Sequence, residues 1–161
     1  MAVLDGQEPA VVSEESGKPV VICVDDDQSN LNALERVLRA RCTVHLATSG
    51  QEALELVERH TDVAAVLADL HMPGVPGSEL LAKVAQMRPH CRRAVVTGFP
   101  ESDELISAIN AGHLHYVITK PWKLTDLLQV VEQLLHTFKL ERDNHRLVDE
   151  LRMVNNHLRD H

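Results

Sequence analysis

The sequence predicts a doubly wound α/β fold, one parallel sheet with helices on both faces. Three observations carry this. Five short β-branched apolar runs alternate with five segments of helical periodicity across the 161 residues. The polar side chains best suited to chemistry stand where the apolar runs end, which is where such sheets place ligands. Hydrophobic residues make up 44% of the chain but aromatics only 2%, so the core between the layers must be aliphatic.

The elements follow in order. Residues 1–18 are polar and acidic with no clear period, and read as a flexible leader. PVVICV (19–24) is the first strand and ends abruptly at Asp25, Asp26 and Asp27. Residues 30–40 form a helix with Leu31, Leu34, Val37 and Leu38 on one face. CTVHLA (42–47) is a strand, and Ser49 to Glu52 opens the next helix, whose apolar side is Ala53, Leu54, Leu56 and Val57. VAAVLADL (63–70) is apolar almost throughout, as a central strand buried on both faces should be. HMPGVPG (71–77) is a loop, and Ser78 is the expected N-cap of a helix over 78–87. RAVVTG (93–98) is a strand, 101–112 a helix stopping at Gly112, and YVIT (116–119) the last strand. A long helical pattern starts near Leu124.

The bulk properties exclude several classes. The formal net charge is -8 with no basic block, which argues against nucleic acid or an anionic membrane as a direct partner. No apolar run approaches the length of a membrane span, and the N-terminus lacks a signal-peptide pattern. Cys23, Cys42 and Cys91 are dispersed without a CxxC spacing and read as reduced packing thiols of a cytoplasmic protein.

Five polar residues converge at one edge of the expected sheet. Asp25 and Asp26 follow strand 1, Asp69 ends strand 3, Thr97 ends strand 4 and Lys120 ends strand 5. Clustered carboxylates repel one another unless a cation intervenes. A hard, oxygen-seeking ion such as Mg²⁺ suits them, held by one or two carboxylates together with phosphate and water. A carboxylate can act as a nucleophile toward phosphorus, with metal, ammonium and hydroxyl groups neutralising charge.

The pieces VDDD (24–27), ADLHMPG (68–74), VTG (96–98) and TKPW (119–122), in this order and each at a strand end, resemble the receiver domain of bacterial two-component response regulators. The resemblance covers residues 19–138 and implies the flavodoxin-like strand order 2-1-3-4-5. It implies that Asp69 accepts a phosphoryl group, that Asp26 and Asp69 ligate Mg²⁺, and that Asp25 assists through water. The backbone carbonyl of His71 is a further implied ligand. Lys120 is expected to pair with Asp69 and contact a phosphoryl oxygen, Thr97 to report its arrival, and the Lys120–Pro121 peptide to be cis. The implied partner is a sensor histidine kinase or a phosphotransfer protein, and catalysis is limited to the domain's own phosphorylation and dephosphorylation.

Several of these residues admit rival readings. Asp25 and Asp26 could cap a helix, and Asp27 reads as a capping or surface residue. A calcium loop starting at Asp25 would need Gly where Asn30 stands and Glu where Arg36 stands. An aspartyl phosphatase would need a second acid two residues past Asp69, where His71 stands. Interaction modules that are never phosphorylated, and stand-alone phosphohydrolases, complete the alternatives. His113 and His115 form an HxH pair without a third ligand nearby in sequence. Two departures from the family pattern bear on function. The switch aromatic is expected three residues before Lys120, where Val117 stands, and Tyr116 lies one place earlier, on the opposite face unless the preceding turn shifts by one residue. His71 stands where the family's side chain flanks the path of attacking water.

Leu124, Leu127, Leu128, Val131, Leu134, Leu135 and Phe138 form a broad stripe for packing on the sheet. Beyond it, over 139–161, the stripe narrows to a heptad seam, with Leu140, Leu147 and Val154 at d and Asn144, Leu151 and Leu158 at a. That pattern predicts a parallel two-stranded coil and hence a homodimer. As one helix, 124–158 extends ~50 Å, either toward an output module or as the output itself.

Overall fold

The structure, a computed structural model, describes residues 17–159, with side chains through residue 157. Most of the expected leader, residues 1–16, lies outside the described residues. Five strands, β1 (Val20–Val24), β2 (Thr43–Ala47), β3 (Val63–Asp69), β4 (Arg92–Thr97) and β5 (Tyr116–Thr119), form one parallel sheet in the order β2-β1-β3-β4-β5. Between and after them run α1 (Gln28–Leu38), α2 (Gly50–Arg59), α3 (Gly77–Met87), α4 (Asp103–Asn110) and α5 (Leu124–Arg159). The expected fold class and strand order are both found. All described residues of β1 are buried, as are the first six of β3, because helices cover both faces of these central strands.

The core divides into two aliphatic layers. On one face Ile22, Val24, Val66 and Val95 meet Ala53 and Val57 of α2, Leu80, Leu81 and Val84 of α3, and Leu105 of α4. On the other, Val21, Cys23, Leu67 and Val96 meet Leu31, Leu34 and Leu38 of α1 and Leu127, Val131 and Leu134 of α5. The alternation along each strand thus splits between two helix layers. The three cysteines are free and buried, and burial pushes the Cys42 thiol up to about 11 and Cys91 to about 12.

Caps follow the local sequence with one exception. Ser49 caps α2 by accepting from the Glu52 backbone N–H, while Glu52 accepts from the Thr48 N–H, a reciprocal capping arrangement. Asp27 caps α1 by accepting from the Ser29 N–H, the capping role expected of it. Ser78 does not cap α3. The helix begins one residue earlier, at Gly77, with Pro76 as its uncapped N-cap residue, and the Ser78 hydroxyl turns to Glu104 instead. Gly77 must start the helix because its N–H donates to the Leu70 carbonyl and its Cα passes against the Asp69–Leu70 backbone, where a Cβ would overlap.

Candidate functional site

The ends of β1, β3, β4 and β5 bring Asp25, Asp26, Asp69, Thr97 and Lys120 to one edge of the sheet. Asp25 is buried and heavily engaged. Its Oδ1 accepts from the Asp27 N–H at 2.9 Å, and its Oδ2 accepts from Asn30 Nδ2 and Lys120 Nζ, each at 3.1 Å. Asp69 closes β3, with its Oδ2 3.6 Å from Lys120 Nζ and its Oδ1 3.4 Å from the His71 N–H. One ammonium thus bridges two carboxylates. Asp26 is exposed.

Asp25, Asp26 and Asp69 each offer an oxygen within 4.8 Å of the other two, the one such group of three potential metal ligands among the described residues. An all-oxygen, anionic donor set fits a hard dication and lacks the nitrogen and sulfur donors that softer metals prefer. Burial raises the Asp69 pKa above its ordinary value; Lys120 opposes that shift, while the Asp25 and Asp26 charges add to it. A cation at the cluster would relieve the cost of keeping Asp69 ionised.

Thr97 is fully buried, and its Oγ1 accepts from the Phe99 N–H at 3.0 Å. The Lys120 N–H donates to the Thr97 carbonyl at 2.8 Å, tying the end of β5 to that of β4. The Lys120–Pro121 peptide is cis, as the resemblance implied.

Tyr116 pairs with Ala94 and Val117 with Val95 in a regular parallel register. Val117 packs into the α2–α3 layer, whereas Tyr116 lies on the face shared with Ile118, toward α5, and is exposed. The HxH segment holds Arg93: His115 Nδ1 accepts from the Arg93 N–H at 3.0 Å, and the His113 carbonyl accepts from Arg93 Nε at 2.8 Å. Sequence reasoning missed three residues. Asn30 holds Asp25, Gly77 admits the backbone behind Asp69, and Glu104 reaches His71. None carries a motif; each is found only once the fold brings distant segments together.

Residues 21–132 match the response regulator receiver domain family, and the chain belongs to it. It is 35% identical over 132 residues to the hydrogenase transcriptional regulatory protein HoxA of Cupriavidus necator, covering 82% of this chain and 27% of that protein. It is 32% identical to the DNA-binding transcriptional regulator NtrC of Escherichia coli over 122 residues, covering 74% of this chain and 25% of NtrC. The chain therefore spans only about a quarter of the length of these curated relatives. Among solved structures, a CheY-like receiver domain protein of Methanospirillum hungatei superposes with a TM-score of 0.72 at 28% identity, covering 77% of this chain and 98% of that one. An uncharacterised protein of Neptuniibacter caesariensis superposes with a TM-score of 0.74 at 34% identity, covering 78% and 93%. This is a receiver domain of the two-component response regulator type. Among the described residues, no helix is long and apolar enough to cross a membrane.

Proposed function

We propose that this receiver accepts a phosphoryl group on Asp69 from a partner histidine kinase or phosphotransfer protein, in the cytoplasm. The observation that carries the proposal is the Lys120 ammonium, 3.1 Å from Asp25 and 3.6 Å from Asp69, beside a three-carboxylate cluster. Asp69 attacks phosphorus, the P–N bond of the donor phosphohistidine breaks as the acyl-phosphate P–O bond forms, and the imidazole leaves. Lys120 steadies the added charge. Asp26 and Asp69 would hold Mg²⁺ directly, Asp25 through water, with the His71 carbonyl as a further ligand. The ion supplies charge neutralisation for in-line transfer. The Thr97 hydroxyl leaves the Phe99 N–H and turns to a phosphoryl oxygen. Hydrolysis returns Asp69 to its carboxylate, so the catalysis is the domain's own phosphorylation and dephosphorylation.

The C-terminal helix is proposed to pair with a second copy over 139–161. Leu140, Leu147, Leu151 and Val154 are all exposed. Phe138 packs against the body, Arg142 bonds Asp62 at 2.7 Å and Glu141 bonds Arg92 at 3.0 Å. Arg142 lies two residues past Leu140, roughly 200° around the helix, so the seam and the docked face are on opposite sides. One helix can thus hold its receiver and a partner at once. The side chain of Leu158 lies outside the described residues. In a longer protein the coil would lead to an output module, as the transcriptional regulators among the relatives suggest.

Trp122, the single tryptophan, lines a cleft with Asp25, Asn30 and Lys120 and reports on the site. Acetyl phosphate with Mg²⁺ is expected to change its fluorescence, and Asp69→Asn to abolish the change. An equal response in Asp69→Asn would contradict the assignment.

A further inference from the structure

The proposed function leaves unexplained a set of contacts at the mouth of the site. His71, two residues past Asp69, directs Nδ1 to Glu104 Oε1 at 3.2 Å. The other Glu104 oxygen lies 3.4 Å from the Ser78 hydroxyl. The imidazole also stands edge-on to Phe99, with ring centroids 5.6 Å apart, and the Phe99 N–H is the donor held by Thr97. His71, Gly98, Phe99 and Ser102 line a shared cleft of about 420 Å³ beside the strand ends. Glu104 belongs to the first turn of α4, Ser78 to that of α3, and His71 to the β3–α3 loop. One carboxylate therefore links α4 and the start of α3 to the loop residue whose N–H lies 3.4 Å from Asp69 Oδ1.

Glu104 Oε1 and His71 Nδ1 lie within ion-pair distance, and because a carboxylate only accepts, a hydrogen bond between them takes its proton from Nδ1. Without Glu104 the imidazole has free rotamers, because both His71 and Glu104 are partly solvent-exposed.

We propose that Glu104 is a positioning residue that pins His71 as a shield at the mouth of the site, so that the seating of α4 sets how long Asp69 stays phosphorylated. This rests on Asp69 being the phosphoacceptor. The step concerned is hydrolysis: water oxygen bonds to phosphorus, the Asp69 O–P bond breaks, inorganic phosphate leaves, and the water proton passes to solvent. The pinned ring narrows the approach of that water. A partner that draws α4 away would free the ring and shorten the signal; one that seats α4 would prolong it.

The test is the decay of the phosphorylated full chain after removal of acetyl phosphate, read by intact mass, in wild type, Glu104→Ala, Glu104→Gln, His71→Ala and the Ala double variant. A second reading, the His71 ring ¹⁵N spectrum without phosphate donor, reports the ring's protonated nitrogen. Glu104→Ala is expected to hydrolyse at least about threefold faster and to lose the Nδ1–H form. Glu104→Gln keeps an acceptor and is expected to retain the wild-type lifetime. The double variant should match His71→Ala, as residues acting through one another do not add. Labelling with an unchanged lifetime in Glu104→Ala, or additive effects, overturns the shield alone. No labelling in any variant overturns the phosphoacceptor reading and the shield with it.

Discussion

At Asp69, burial and the two neighbouring aspartates make the ionised carboxyl costly even with Lys120 beside it. Its folded pKa lies above its unfolded one, so the folded state takes up the proton first and stability falls as pH rises through that interval. At neutral pH, without a divalent ion, Asp69→Asn is therefore expected to melt at a higher temperature than wild type. Added Mg²⁺ should raise the melting temperature of wild type and raise that of Asp69→Asn less, by mass action on the folded state. A lower melting temperature for Asp69→Asn in the metal-free protein would contradict the electrostatic account. These residues were legible in sequence because each stands at the end of an apolar run, where a parallel sheet gathers side chains from far-apart positions. Asn30 and Glu104 were not, because they reach Asp25 and His71 from helices, and nothing in a helical stripe marks which polar position turns toward the site.

At the scale of elements, the strands and helices were read from periodicity almost residue by residue, but the helix starts were not all read correctly. Ser49 with Glu52 is a capping pair with a recognisable spacing, whereas α3 starts at a glycine dictated by the close passage of the Asp69–Leu70 backbone, a contact made across the loop. The two starts predict different losses. Ser49→Ala should cost about 1 kcal/mol of unfolding free energy, measured by urea denaturation, with the Asp69 edge unchanged. Gly77→Ala should cost more and also displace the phosphoacceptor strand end, seen as shifted backbone resonances at Asp69 and Leu70, because a Cβ there meets main chain that cannot swing aside. Resonances confined to α3 itself would show that the helix start yields instead of the strand. The position of Tyr116 follows from β5 register alone: strand alternation placed it opposite Val117, and the pairing with β4 keeps it there.

Across the whole molecule, three histidines away from the site share one consequence. Burial first, then the Arg92 and Arg93 charges, hold His115 down to about 4. His45 and His60, stacked with ring centroids 4.4 Å apart, are lowered from 6.5 chiefly by burial, each with a buried ring nitrogen lacking a partner and with Arg59 nearby. The unfolded chain therefore takes up these protons first. The stability they contribute is intact above about pH 6.5 and is lost as pH falls below it. The urea midpoint should decline from about pH 7 to 5, and His115→Asn, which keeps an acceptor for the Arg93 N–H, should flatten the decline. The proposed coil belongs to this scale too: Leu147→Glu with Leu151→Glu should give monomers by sedimentation while leaving phosphorylation of Asp69 intact. The most direct measurement of the central claim is intact mass after incubation with acetyl phosphate and Mg²⁺, beside Asp69→Asn and a metal-free control. The account predicts one added phosphoryl group in the first sample and none in either control; a folded protein that gains none under any condition, or gains it equally without Asp69, would contradict it.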